Sequence, residues 1–538
     1  MSDRTTEPGD QRHVHDPESG TEVDQRSPGE RDPGLEPRTN RVRWTGLAVG
    51  LVAAVLVYLV MPDDAGHPAR LTAAIAVLMG LWWMTEALPI PATALVPLVV
   101  FPTLGEASVD DVGASYGNNI IFLFMGGFML ALAMQRWNLH RRIALVTVRA
   151  MGTSPAMVIA GFMVATGFIS MWVSNTATAV MMLPIGVSVL LLVARLGAET
   201  AAPDAAGSGA GAAEGPADTE EAVLSTNFGA ALMLGIAYAA SIGSLGTLIG
   251  TPPNTLLAGY LDQEHGITLS FGRWMLVGVP LAVVFLALCW FLLTKVLYRP
   301  EITEIPGGRE LLTREIDKLG PMSQGEKRVL GLFVLAAVAW IAVPLIWPDD
   351  TPISDAGIAM TVALLLFTLP AGAARGVRLL DWDSAVQLPW GVLLLFGGGL
   401  ALSAQFGQSG LSEWIGTQAA GLGGLPVVLL VVVLTAVIIF LTELTSNTAT
   451  AATFLPVAGG VALGLGVDPM LLAIPVALAA TCAFMLPVAT PPNAIAFGSG
   501  YVTIPQMVRA GLWLNLVGIV LVTATVMILA VAVFGIVY

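Results

Sequence analysis

Two stretches decide the architecture: "WVSNTATAVMMLP", from Trp172 to Pro184, and "LTSNTATAATFLP", from Leu444 to Pro456. Each sets the hexamer Ser-Asn-Thr-Ala-Thr-Ala inside an otherwise apolar run. Ser, Asn and Thr are strong helix N-caps, because their side-chain oxygens accept from the free N–H groups of the first turn. The spacing predicts a helical run beginning at Ala177 in one copy and Ala449 in the other. Each hexamer is therefore expected to be a helix N-terminus at membrane depth, offering free N–H donors and roughly half a positive charge to an anion.

The surroundings are those of a membrane protein. Of 538 residues, 55% are hydrophobic and 12% charged, with mean hydropathy +0.78. Soluble domains carry about 25% charged residues. Spanning helices are expected at 44–61, 70–87, 89–103, 118–136, 226–259 (interrupted), 273–297, 328–347, 356–370, 390–405, 470–495 (interrupted) and 508–536. The net charge of −14 resides largely in a polar tail, 1–43, expected to be disordered, and in an inserted flexible loop, 197–223. Neither reads as a signal peptide or a site. Cys289 and Cys482 form no CxxC pair, and the five His residues show no metal-ligand spacing.

Two long apolar segments remain, 154–194 and 425–465, each broken near its centre by the hexamer. If each is a re-entrant hairpin, the chain makes eleven crossings. All of the 24 Lys and Arg residues except Arg70 and Arg273 then fall on one side. That bias places the N-terminus in the cytoplasm and the C-terminus outside a plasma membrane. Reading either hairpin as a single crossing scrambles the agreement.

The two halves repeat. Gly126 matches Gly397 at an offset of 271, while Ser174 and Pro184 match Ser446 and Pro456 at 272. "GTPPN" from Gly250 matches "ATPPN" from Ala489 at 239, the shorter offset reflecting the 197–223 insertion. With the first helix (44–62) set aside, each half, 63–300 and 328–538, holds five crossings and one hairpin, joined by a cytoplasmic linker at 301–327. Five is odd, so the halves lie inverted in the membrane, an architecture of alternating-access transporters. The tandem prolines stop a helix and free upstream carbonyls, and the preceding "ASIGSLGTLIG" lets backbone approach an ion closely. No Lys or Arg lies in either hexamer or either TPPN segment. An anion there is met by hydroxyls, amides, helix dipoles and co-bound cations, which favours Na⁺ coupling. Glu443 reads as a tip-stabilising carboxylate, or as a proton or ion participant. Glu86, in "WWMTEALPIP", is open between a structural and a functional role. A channel would need a continuous polar file, and a hydrolase a base beside Ser174 or Ser446; the sequence has neither, so an enzyme is not expected.

"WWMTEALPIPATALVP", the two "SNTATA" words, "ASIGSLGTLIGTPPN" and "ATPPNAIAFGSG", in this order, resemble the divalent-anion:sodium symporter family, which includes sodium–dicarboxylate cotransporters. The likeness runs from about Arg43 to Tyr538. It implies an all-α homodimer whose protomers each hold a scaffold domain and a transport domain that moves like an elevator. It also implies one sodium site at Ser170, Ser174, Asn175 and the Gly250 carbonyl, and another at Thr442, Thr445, Asn447 and the Ala489 carbonyl. Substrate carboxylates would meet Asn175, Thr176, Thr251, Asn447, Thr448 and Thr490. The expected activity is sodium-coupled import of C4-dicarboxylates such as succinate, fumarate and malate. Sodium-independent exchange, and sulfate or citrate as substrate, are the alternatives. Amphipathic stretches after Arg136 and Gly407 fit interfacial arm helices flanking the hairpins.

Overall fold

The computed structural model describes residues 13–15, 22–24, 37–152, 154–205, 226–302, 308–347, 351–537. Within them the chain is almost wholly helical; the one sheet is a three-residue antiparallel pairing of His13–His15 with Glu22–Asp24. The rest of the expected disordered tail lies outside the described residues, except that its last part is helical: α1 runs Pro37–Val60.

There follow α2 (Gly66–Thr85), a single turn at Ile90–Thr93, α3 (Val96–Leu104), α4 (Asn119–Arg136) and α5 (Leu139–Met151). The first hexamer separates α6 (Pro155–Ser170) from α7 (Asn175–Ala205). The first TPPN separates α8 (Asn227–Ser244) from α9 (Pro252–His265), and α10 runs Phe271–Phe291. The second half brings α11 (Gly308–Lys318), α12 (Gln324–Ile346), α13 (Asp355–Thr368), α14 (Trp390–Gln408) and α15 (Leu411–Ala419). It ends with α16 (Val427–Thr442), α17 (Asn447–Leu465), α18 (Met470–Ala480), α19 (Pro491–Gly498) and α20 (Ile504–Ala524).

Two expectations need correction. Both hexamer helices begin two residues early, at Asn175 and Asn447, because Ser174 caps the first with its hydroxyl and Ser446 holds the cap backbone conformation of the second. The insertion at 197–223 does not begin as a loop: α7 continues helical through Ala205, and 206–225 lie outside the described residues. The linker 301–327 carries a helix, α11. Eight helices among the described residues are long and apolar enough to cross a bilayer. Seven coincide with expected crossings, and the eighth is α17, the second half of an expected hairpin. The expected crossings at 70–87, 89–103, 356–370 and 470–495 do not meet that length and composition.

The core is built on the two broken helices. Every residue of α18 is buried, and every residue of α8 but its first. In each half the first hairpin helix packs on the unbroken start of the TPPN helix, α6 on α8 and α16 on α18. The second hairpin helices cross over: α7 packs on α19 of the other half, and α17 on α9. The arms are the amphipathic helices α5 and α15. A guanidinium fork holds α5 to α12, with Arg142 donating to Glu326 at 2.7 and 3.3 Å. Around this centre, α1 leaves Trp44, Leu51, Val55 and Leu59 exposed on an apolar face suited to lipid.

Candidate functional site

The hexamer tips and TPPN breaks come together in pairs within the core. On the first tip, the Ser174 hydroxyl accepts from Ala177 N–H at 3.3 Å, a side-chain N-cap. On the second, Ser446 has cap backbone geometry, but its hydroxyl makes no capping bond; its carbonyl accepts from the Thr450 N–H and hydroxyl at 2.9 and 3.0 Å. The aromatic residue just before the first hexamer docks that tip. Trp172 stacks near-parallel to Trp340 of α12 at 6.3 Å and meets Phe333 edge-on at 4.8 Å, while Trp340 stacks on Phe271 of α10 at 4.3 Å.

Ser170 and Thr442, the last residues of α6 and α16, are fully buried. Ser170 donates its hydroxyl to the Ala240 carbonyl at 2.5 Å, and the Thr442 hydroxyl lies 2.9 Å from the Ala480 carbonyl and 2.8 Å from Asn447 Oδ1. A hydroxyl whose proton is committed to a carbonyl keeps its lone pairs for another partner. Thr445 pairs with the Thr450 hydroxyl at 2.6 Å. These neutral oxygens beside unwound backbone are a donor set suited to an alkali cation. Asn175 and Asn447 open α7 and α17; they, Thr448 and Ser174 are half-buried, and Thr176 is exposed.

Thr251 and Thr490 are the extended N-caps of α9 and α19, both buried. Thr490 accepts from Asn493 N–H at 3.3 Å, whereas Thr251 makes no such bond and lies 3.4 Å from the Thr481 hydroxyl in the opposite half. Gly250 is required where it stands: a Cβ there would lie 2.3 Å from the Ser244 carbonyl. Position 489 carries Ala, so the two break loops differ locally.

The structure adds residues that the sequence reading passed over. The Asn of each TPPN braces its own break. Asn254 donates to the Thr247 and Leu245 carbonyls at 2.9 and 3.4 Å, and Asn493 to those of Ala483 and Leu486 at 3.1 Å each. Thr247 and Leu486 are related by the 239 offset, so the brace repeats. Its signal was the repeated fifth letter of the word.

Each break is also tied to the adjacent tip from one position. In the first half the Thr247 hydroxyl donates to the Met171 carbonyl. In the second, Glu443, at the same 272 offset, accepts from the backbone N–H groups of Phe484, Met485 and Leu486 at 2.7, 2.8 and 3.1 Å. Asn515 of α20 adds a fourth donor at 2.7 Å. Glu443 therefore secures the second break loop, one step removed from the tip it was expected to stabilise. Glu86 is exposed and ends α2 as a left-handed C-cap, φ 47°, its N–H bonded to the Trp82 carbonyl. Helices α10 and α20 reach the two loops alike. A Cβ at Gly278 would lie 2.5 Å from the Leu245 carbonyl, and one at Gly511 2.3 Å from the Phe484 carbonyl.

Comparison with known proteins gives the family. The chain matches the sequence profile of the sodium:sulfate symporter transmembrane region over residues 41–536. It is 41% identical over 508 residues to the sodium-dependent dicarboxylate transporter SdcS of Staphylococcus saprophyticus, covering 93% of this chain and 94% of that one. To SdcS of Staphylococcus aureus (strain MRSA252) it is 42% identical over 501 residues, covering 91% and 93%. Among solved structures, the YdaH transporter of Alcanivorax borkumensis superposes with a TM-score of 0.51 at 14% identity, over 87% of this chain and 99% of that one, a likeness of fold alone.

Proposed function

Because the chain belongs to the sodium:sulfate symporter family, whose profile spans it almost end to end, we propose that it is a sodium-coupled symporter importing C4-dicarboxylates such as succinate, fumarate and malate. The observation that supports this reading is the meeting of both tips and both TPPN breaks in a buried core of hydroxyls, amides and carbonyls, each tip bonded to the break of its own half while α7 packs on α19 and α17 on α9. The names of the relatives, which speak of sodium and dicarboxylate, support the substrate class.

In this reading one sodium ion is held by Ser170, Ser174, Asn175 and the Gly250 carbonyl, and a second by Thr442, Thr445, Asn447 and the Ala489 carbonyl. The Ser170 hydroxyl gives its proton to the Ala240 carbonyl and that of Thr442 to the Ala480 carbonyl or Asn447 Oδ1, so each keeps a lone pair for the ion. The dianion meets the side chains of Asn175, Thr176, Asn447 and Thr448, with Thr251 and Thr490 behind them. Two cations offset its charge where arginine is absent. The crossed packing of α7 on α19 and α17 on α9 makes each tip move with the opposite break, so the site travels as one body. The arms α5 and α15 hold the hairpins against a scaffold while that body shifts, as an elevator, in a homodimer. Each hairpin enters and leaves on one side, the first from the cytoplasm and the second from outside, with the N-terminus cytoplasmic.

The test is uptake of radiolabelled succinate into proteoliposomes. An inward Na⁺ gradient is expected to drive accumulation, with sulfate and citrate competing weakly. Uptake indifferent to Na⁺ but driven by internal dicarboxylate would replace symport by exchange. Asn175→Ala and Asn447→Ala should each abolish uptake in folded protein; near-normal transport by both would remove the site assignment.

A further inference from the structure

A cavity of about 320 Å³ lies between the arm α5, the linker helix α11 and the second hairpin helix α7, its lining on α7 starting two residues past the first hexamer. Its α7 wall is apolar, with Met181, Met182 and Ile185, and its opposite wall is polar, with His140, Arg141 and Glu315. Arg141 donates to Glu315 at 3.0 Å through one of its five N–H groups. The same carboxylate is also bonded by Lys318, which stands outside the lining, so within this cluster of three side chains two cations share one anion. His140 adds no charge: its Nδ1 lies 3.0 Å from the Met134 carbonyl, and burial, with a smaller contribution from Arg141, lowers its affinity for a proton. A cationic rim over a thioether-lined apolar pocket complements an amphiphile with a single negative head. The volume is at the small end of ligand pockets, which run roughly 300–1,000 Å³, and so fits a short chain.

We propose that this cavity is a regulatory site for a medium-chain monocarboxylate, its head on Arg141 and its chain along Met181, Met182 and Ile185. An occupant touches the arm and linker on one side and the hairpin on the other. On the elevator reading given above, it therefore joins a moving helix to fixed ones and slows transport.

The probe is a diazirine-bearing decanoate applied to the full chain in nanodiscs of phosphatidylcholine and phosphatidylglycerol, with crosslinks mapped by peptide mass spectrometry. Labelling is expected within 181–189, weakened roughly tenfold in Arg141→Gln, retained in Arg141→Lys and lost in Ile185→Trp, which fills the space. Each variant is assayed on its monodisperse fraction, so misfolding does not mimic loss of the site. Free decanoate should compete; competition by added phosphatidylglycerol alone would make the occupant a lipid and overturn the proposal. Labelling unchanged in Arg141→Gln and Ile185→Trp, or spread evenly over exposed helices, would also overturn it. In proteoliposomes decanoate should slow succinate uptake by the parent chain and not by Ile185→Trp. Because crosslinking needs no transport, its outcome stands apart from that of the uptake assay.

Discussion

Replacing Glu443 by Gln tests how the second break is held. Four donors converge on this carboxylate at 2.7–3.1 Å: three consecutive backbone N–H groups and the Asn515 amide. Oε1 takes three of them and Oε2 takes Leu486 N–H. In Glu443→Gln the amide oxygen can replace Oε1, but the NH₂ then faces the Leu486 N–H, donor against donor. A buried N–H left without a partner costs about 1–3 kcal/mol, and three charge-assisted bonds weakened to neutral ones lose about 1 kcal/mol each. Relief of the buried charge returns part of this, leaving a net of about 2–4 kcal/mol. The loss falls on the loop that carries Ala489, whose carbonyl belongs to the proposed second sodium site, so on that proposal sodium binding has to restore its order. With 1.4 kcal/mol per factor of ten, the Na⁺ concentration for half-maximal uptake should rise at least about tenfold, with a lowered melting temperature. Met171→Leu is the control. At the matching position the first half uses a main-chain carbonyl, which that substitution keeps, and the Na⁺ dependence should stay within about twofold. A Glu443→Gln protein with parental Na⁺ dependence and melting would refute the reasoning.

Gly511→Ala places a Cβ 2.3 Å from the Phe484 carbonyl, where backbone must give way. Overpacking of this kind costs about 1–3 kcal/mol, so a lower melting temperature and reduced succinate uptake are expected, and unaltered values in both assays would count against the close approach of α20. Glu264 lies in the polar last turn of α9, past the apolar crossing, with its carboxyl against Gly407 of α14. Burial raises its pKa from 4.5 to about 7. Between those values the folded chain holds more protons than the unfolded one, so stability falls as pH rises through this window and stays lower above it. Glu264→Gln should flatten the melting profile between pH 4.5 and 7, and an unchanged slope would assign the dependence to other groups.

What was legible in the sequence is what the repeat writes twice. The TPPN breaks, the paired Ser170 and Thr442 and the two amphipathic helices stand where their spacing implied, and the hexamer helices start within two residues of it, because capping and proline chemistry act within a few residues of chain. The crossing-over was not legible. Neither "SNTATA" nor "TPPN" says which copy it will face, and the packing of α7 on α19 and of α17 on α9, added to their own-half contacts with α8 and α18, joins stretches far apart in the chain. Nor could the offsets reveal where the halves diverge in chemistry. Positions 171 and 443 perform the same task, yet one uses a main-chain carbonyl and the other a carboxylate, and the carboxylate needs Asn515, a residue outside every repeated word. The N-cap rule likewise applies to Ser174 and not to Ser446, although the six letters are identical. The difference lies in what surrounds each tip: Trp172 leads the first into an aromatic stack, while beside the second the hydroxyls of Thr445 and Thr450 bond each other. A pseudo-symmetric backbone thus carries two half-sites of unequal stiffness. The inequality lies in the bonds themselves: a side-chain cap and an aromatic stack at the first tip, and a hydroxyl pair with no side-chain cap at the second.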